Sequence, residues 1–338
     1  MHTQSWRKRV PKIVRFHKTG PADVLQIEEL PLQEPKAGEV RLRVQAIGLN
    51  RAEVMFRRGT YLEQPRLPAR IGYEVSGVID AVGPGVNQFR VGERVSTIPA
   101  FSMNEYGVYG ESATVPATAV ARYPERLSPV EATSIWMQYL TAWGGLIHYG
   151  KMKAGDFVLI SAASSSVGLA AIELTKLAGA KAIATTRRSD KKQPLLEAGA
   201  DEVIATEEED LPKRVAEITD GKGANLIFDP VAGKFLESLA AAAAREALII
   251  EYGALAPEPT PYPLYTALSK ALLIRGYILF EFTRNPDTRK TGEQYIFDQL
   301  QKRKLNPRVD KTFPLSQIVE AHRYMESNQQ LGKIVVTV

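Results

Sequence analysis

Between residues 157 and 280 the chain alternates short apolar runs with longer amphipathic ones. That rhythm restricts the fold more than any other feature of its 338 residues. The runs 157–161, 181–186, 202–205, 225–229, 247–252 and 274–280 read as buried strands, and 167–177, 191–198, 211–219, 235–244 and 265–272 as the helices between them. In the first helix Val167, Ala171, Leu174 and Ala178 are spaced four, three and four, which puts them on one face. Six strands alternating with helices specify a parallel, doubly wound α/β sheet of dinucleotide-binding topology.

The flanks follow different periods. Before residue 127 the segments 13–16, 24–30, 40–46, 76–82 and 94–98 read as short strands of an antiparallel or mixed, barrel-like β unit, with breaks such as Gly83-Pro84-Gly85 between them. At Ser128 the pattern changes: Ser128, Pro129 and Glu131 form the start signal of a helix running to about residue 148. Beyond residue 284 come helices at 284–302 and 315–325 and a terminal strand at 333–338. So short a strand is unstable unless it joins a larger sheet, so it is expected to return to the N-terminal β unit. The expected division is a split domain, 1–127 with 284–338, and an inserted domain at 128–283.

Charge and composition exclude several functions. Lys and Arg number 43 against 38 Asp and Glu, and Arg7, Lys8, Arg9, Lys12, Arg15 and Lys18 all precede the first acid, Asp23. Past that basic arm the charges nearly cancel, which argues against a broad nucleic-acid-binding face. The sequence has no cysteine, so disulfides, thiol nucleophiles and cysteine-ligated zinc are excluded. No apolar stretch reaches the roughly 18 residues of a membrane span, and the basic N-terminus lacks the apolar core of a secretory signal. A cytoplasmic protein is expected.

The turn after the first buried strand is Ala163-Ser164-Ser165-Ser166-Val167-Gly168. A dinucleotide fold needs small residues here for a tight turn, for approach of backbone N–H groups to a pyrophosphate, and for helix–strand contact. Only the third is Gly, but Ala163 and Ser165 are small enough to admit phosphates. At the end of the second strand, where NAD-binding folds carry an acid for the ribose 2′-hydroxyl, the chain reads Thr186-Arg187-Arg188. Thr186 takes the acid's place and two guanidiniums are available to a 2′-phosphate, which favours NADPH over NADH. Tyr252 and Gly253 close the fifth strand, at the carboxyl edge where ligands of such sheets lie.

The chain resembles the medium-chain dehydrogenase/reductase superfamily, and within it the zinc-independent quinone oxidoreductases of the zeta-crystallin type. The resemblance spans almost the whole length and rests on Gly48-Leu49-Asn50-Arg51-Ala52-Glu53, Arg58-Gly59-Thr60-Tyr61, Gly72-Tyr73-Glu74, Val91-Gly92-Glu93-Arg94-Val95, Tyr139-Leu140-Thr141-Ala142 and Gly332-Lys333-Ile334-Val335-Val336. It implies a Rossmann domain inserted in a split, mainly β GroES-like catalytic domain. Zinc-dependent members carry Gly-His-Glu where this chain has Gly72-Tyr73-Glu74, so no metal is implied. The carbonyl or olefin must then be electron-poor, or be polarised by hydrogen bonds.

By this resemblance the substrate is a quinone or an α,β-unsaturated carbonyl compound. Asn50 and Thr141 sit near the nicotinamide, and the Asn50 amide is placed to hydrogen-bond a substrate carbonyl. Tyr61 matches the proton donor of enoyl-thioester reductases, and either donates a proton or lines the pocket. The segment 101–110, with its aromatics and Met103, lines the substrate entrance or packs against the neighbouring domain. The edge strand at 275–280 pairs across a two-fold axis in a homodimer. Two alternatives stay open: an enoyl-thioester reductase of lipid or polyketide metabolism, and a non-catalytic RNA-binding or structural relative using the basic arm.

Overall fold

The computed structural model describes residues 10–338. The chain forms two compact units, one of residues 138–306 and one of the segments to either side.

The inserted unit contains one parallel sheet. Its strands are β1 (Phe157–Ile160), β2 (Lys181–Thr186), β3 (Glu202–Ala205), β4 (Ala224–Asp229), β5 (Ala243–Glu251) and β6 (Leu273–Gly276), in the spatial order β3-β2-β1-β4-β5-β6. Ile183, Leu159, Ile227 and Ile249 stand in one row across four of them, each fully buried. A parallel sheet covered on both faces needs such unbroken apolar strands, which is why the sequence shows runs rather than alternation. Strand order reverses between β1 and β4, so the ligand crevice of this topology opens beyond their carboxyl ends.

Two segments differ from expectation. The single helix expected over 128–148 is three pieces: Pro129–Ala132, Trp136–Ala142 and a π-helix, Trp143–Tyr149. A Cβ on Gly144 would meet the Tyr277 hydroxyl at 2.1 Å and one on Gly145 the Phe228 ring at 2.5 Å, so the wider turn carries glycines where other side chains press in. The strand expected over 274–280 stops at Gly276. Leu279–Thr283 is helical instead, its start capped by the Glu281 carboxylate, which accepts from Ile278 N–H at 3.2 Å.

In the other unit a seven-stranded sheet is built on the long strand Glu39–Gly48, which pairs antiparallel with Glu74–Val82, Ser112–Pro116 and the C-terminal strand Lys333–Thr337. The terminal strand also runs parallel to Val309–Pro314, a strand whose mostly exposed residues leave no apolar alternation to read. Lys12–Phe16 lies in a separate three-stranded sheet, where Arg15 pairs with Glu28 at 3.1 Å. Arg7, Lys8 and Arg9 of the basic arm fall outside the described residues, while Lys12 and Arg15 belong to this folded strand. No helix among the described residues is long and apolar enough to cross a membrane.

The unit boundaries fall later than the expected 127/128 and 283/284, for local reasons. Trp136 Nε1 donates to Ser96 Oγ at 2.9 Å and Met137 N to Glu74 Oε1 at 2.7 Å, which ties the chain as far as 137 to the β unit. Past Arg284, Gly292 packs so closely on Phe282 and Leu140 that a Cβ would lie 2.5 and 3.1 Å from them, and Asn306 N donates to Glu173. The helix Pro286–Gln301 therefore belongs to the sheet unit.

Candidate cofactor and active site

The turn after β1 leads into a twelve-residue helix, Ser166–Leu177. Ser165 caps it, its hydroxyl oxygen accepting from Gly168 N–H at 3.0 Å. A Cβ on Gly168 would lie 2.5 Å from Ala163 Cα and 2.6 Å from its carbonyl oxygen, so no larger residue fits where helix meets strand. This is the third of the three requirements set for the turn. The backbone strain falls one residue before the expected segment, on Ala162, whose φ is 45°. Ala163 is buried, whereas Ser164, Ser165, Ser166 and Val167 are half-exposed, leaving the N–H groups of the first turn without intrahelical acceptors and beside them small side chains. These residues fit a pyrophosphate.

At the carboxyl end of β2, Thr186 is half-buried and Arg187 and Arg188 are exposed. The two arginines are not equivalent. Arg188 Nε is 3.0 Å from Glu207 Oε2, in the loop after β3, so one cation is already engaged by an acid. Lys191, not picked out by any motif, reaches back with Nζ 3.3 Å from Ser164 Oγ and so links the serine turn to the β2 end. Its spacing from the serine run, 27 residues, carries no motif; only the fold reveals it.

At the ends of β4 and β5, the half-buried Tyr252 stacks its ring on Phe228 at 4.0 Å and 18°. The missing Cβ of Gly253 faces Pro230, 2.8 Å from its carbonyl oxygen, so the close approach this glycine permits is between two loops of the protein. Thr141 is buried on the helix Trp136–Ala142.

In the β unit, Asn50 lies at the head of the helix Arg51–Arg58 within a buried polar cluster. Lys333 Nζ donates to Asn50 Oδ1 at 2.6 Å and to Glu74 Oε2 at 2.5 Å, and both members of the Lys333–Glu74 pair are 1% exposed. Asn50 Nδ2 faces Glu53 Oε1 and Glu74 Oε2, each at 3.2 Å, and Gly48 O at 3.3 Å. The two N–H bonds of this amide face three internal acceptors, so Asn50 joins Gly48, Glu53, Glu74 and Lys333 in one buried cluster. Burial pushes Glu53 up to about 7, against the opposing pull of the Tyr109 hydroxyl, the Asn50 and Tyr73 backbone N–H groups and the Lys333 ammonium.

Tyr61 is half-buried in the loop after that helix. Its neighbourhood is fastened by Asn104, which accepts from Arg66 N at 2.7 Å and donates to Gln64 O and Glu63 Oε1, both at 2.9 Å. Ser102 and Asn104 thus bring the 101–110 segment against the Tyr61 loop, while Met103 and Tyr109 are buried inside the unit. Tyr73 is fully buried. Its ring tilts on Phe101 at 5.8 Å, and its hydroxyl is hydrogen-bonded to Tyr61.

Comparison with known proteins agrees with both units. The alcohol dehydrogenase GroES-like domain family matches residues 36–125, and the zinc-binding dehydrogenase family matches residues 166–294. Quinone oxidoreductase of Salmonella typhimurium is 31% identical over 94% of this chain and 97% of its own. The 2-haloacrylate reductase of Burkholderia sp is 30% identical, over 95% of this chain and 97% of its own. The chain belongs to the medium-chain dehydrogenase/reductase superfamily, in its zinc-independent quinone oxidoreductase group. The crystal structure of Escherichia coli quinone oxidoreductase complexed with NADPH has a TM-score of 0.90 to this chain at 27% identity, covering 97% of this chain and 100% of the other.

Within this quinone oxidoreductase fold, no three His, Asp or Glu side chains among the described residues are grouped to hold a metal ion. Of the four histidines, His322 is wholly buried and burial lowers it to about 3, consistent with a neutral core imidazole edge-on to Tyr109.

Proposed function

We propose that this chain is an NADPH-dependent reductase that transfers hydride to a quinone or to an α,β-unsaturated carbonyl compound. The observation that carries the reading is Gly168 pressed against Ala163 at the head of a helix, in a sheet whose order reverses beside that turn. Ser164, Ser165, Ser166 and Val167 would hold the pyrophosphate, and Arg187 with Lys191 would hold the 2′-phosphate. Bound NADPH supplies a hydride to an electron-poor carbon. The chain's own part is then to manage the proton. Hydride addition to the β-carbon of an enone leaves an enolate, and the Tyr61 phenol is the acid that protonates it. A reduced quinone takes its protons from water as well, so quinone turnover depends less on Tyr61.

The relative named for 2-haloacrylate, an olefin conjugated to a carboxyl group, supports an acceptor of this class. A diffusible NADPH supply makes the cytoplasm the compartment we propose. We further propose a homodimer through β6. Among the described residues β6 is an edge strand, and Leu273 on it and Tyr265 and Leu268 on the helix before it are 61%, 85% and 69% exposed.

The test is a titration with NADPH and NADH, then NADPH oxidation by a 1,4-quinone, an enone and a crotonyl thioester. NADPH preference with turnover of the first two supports the reading. NADH preference overturns the 2′-phosphate assignment, and turnover confined to the thioester transfers the chain to the enoyl reductases.

A further inference from the structure

Tyr73 stands between Gly72 and Glu74 with its backbone held at both ends. Its N–H donates to Glu53 Oε1 at 3.0 Å, and its carbonyl accepts from the Thr97 hydroxyl at 2.8 Å. The ring is tilted against Phe101, and the side chain is 1% exposed. In that setting the hydroxyl is hydrogen-bonded to Tyr61.

We propose that Tyr73 is a positioning residue for proton delivery: its hydroxyl donates a hydrogen bond to the Tyr61 phenolic oxygen and stabilises the phenolate that forms when Tyr61 gives up its proton. The role rests on the reading of Tyr61 as proton donor to an electron-poor olefin. In that step hydride from NADPH bonds to the β-carbon, and the olefin's π electrons move into the enolate. The Tyr61 O–H bond then breaks as the α-carbon–H bond forms, and the phenolate recovers a proton from water.

The direction of the hydrogen bond follows from the surroundings. Burial, followed by the charges of Tyr61 and Glu63, the hydrogen bond to Tyr61 and the charge of Glu53, pushes the Tyr73 phenol far above the ordinary range. A buried phenol that keeps its proton can donate to Tyr61, and when the Tyr61 O–H is turned to substrate its oxygen is free to accept that bond. Tyr61, half-exposed, is the one placed to exchange with substrate and solvent. Glu63 and Glu53 oppose a phenolate at Tyr73 by their charge, which leaves Tyr61 as the phenol of the pair that gives up its proton. Glu63 Oε1 is itself engaged by Ser102 and by Asn104 Nδ2, which fixes the carboxylate in place.

The test begins without cofactor. 3-Fluorotyrosine is placed at position 61, and its ionisation is followed by fluorine NMR in the otherwise unchanged protein and in Tyr73→Phe. Loss of the donor is expected to raise the Tyr61 pKa by about one unit, as a charge-assisted hydrogen bond implies. With NADPH and an enone, Tyr73→Phe is expected to lower kcat about tenfold with little change in KM. The more acidic donor 3-fluorotyrosine at position 73 is expected to lower the Tyr61 pKa below that of the parent. This second variant keeps the ring in place, so it reports even if Tyr73→Phe folds poorly.

A Tyr61 titration unmoved by either variant, in a protein that reduces enones, overturns the role of Tyr73 alone. A wild type that reduces neither quinone nor enone overturns the functional reading and this role with it.

Discussion

Asp229 and Glu251 are directly paired residues of the parallel β4–β5 ladder, so two carboxyl groups stand side by side at the carboxyl edge of the sheet. Asp229 is secured as an acceptor, Oδ2 taking a hydrogen bond from Ala232 N–H at 2.6 Å and Oδ1 one from the Ser161 hydroxyl. Glu251 has no such support. Burial, and after it the charge of Asp229, push it up to about 9.

The consequence for stability has a definite sign. Between about 4.5, the ordinary value, and about 9, the folded chain holds a proton that the unfolded chain has lost. This contribution is fully present below that window and is lost as pH rises through the folded value. Glu251→Gln removes the titration while keeping a neutral donor beside Asp229. The variant is expected to match wild type near pH 5 and to exceed it by about 2 kcal/mol near pH 9, a figure held to the scale of one charged hydrogen bond. Chemical denaturation across that range checks it, and parallel wild-type and variant curves would refute it.

Lys333 and Glu74 carry a second prediction. An ammonium and a carboxylate, both 1% exposed, are tolerable only together, because removal of one leaves a buried charge uncompensated. Lys333→Met is expected to cost about 3–5 kcal/mol, and the double variant Lys333→Met/Glu74→Gln less than that. Unfolding midpoints of the singles and the double read the coupling directly; additive losses would mean that the pair does not act as a unit.

What was legible beforehand depended on how local the signal was. The strands β1 to β5 announce themselves because a sheet buried on both faces demands runs such as Val158, Leu159 and Ile160. The tight strand-to-helix turn was legible because Gly168 must meet Ala163, a contact five residues apart in sequence. By contrast, Lys191 meets Ser164, and Lys333 meets Asn50 from the far end of the chain, through tertiary placement that no spacing encodes. Asn50 could be located by its motif, but the bonding of its amide depends on Glu74 and Gly48, which only the fold assembles around it.

The unequal cations after β2 give a third prediction. Arg188 is already paired with Glu207 at an exposed site, whereas Arg187 is exposed and Lys191 leans on Ser164 of the serine turn. Lys191→Ala and Arg187→Ala are each expected to weaken NADPH binding about tenfold while leaving NADH binding nearly unchanged, and Arg188→Ala to have the smaller effect. Fluorescence titration with both nucleotides measures this. Equal losses for NADPH and NADH would show that these side chains do not read the 2′-phosphate.

Gly168→Ala isolates the turn from its charges. The added methyl would sit 2.5 Å from Ala163 Cα, so helix and strand must separate. A cost of about 1–3 kcal/mol in stability is expected, as for other overpacked contacts, together with loss of affinity for NADPH and NADH alike. Unfolding and nucleotide titration of the one variant check both halves, and unimpaired binding would move the pyrophosphate away from this turn.

The edge of the sheet supplies the last prediction. Beside β6 the side chains of Leu273, Leu268, Tyr265, Leu264 and Tyr262 are all at least half exposed, an apolar border on a strand with unused backbone donors and acceptors. A monomer would carry this as an aggregation hazard, and pairing with the same strand of a second copy removes it through a self-complementary contact. In the proposed dimer, Leu268→Asp places two like charges into that contact across the two-fold axis. The substituted chain is expected to run as a monomer in light scattering coupled to gel filtration, with an unfolding midpoint that no longer depends on protein concentration. A wild type that is already monomeric at micromolar concentration would overturn the dimer, and a variant that stays dimeric would place the interface elsewhere.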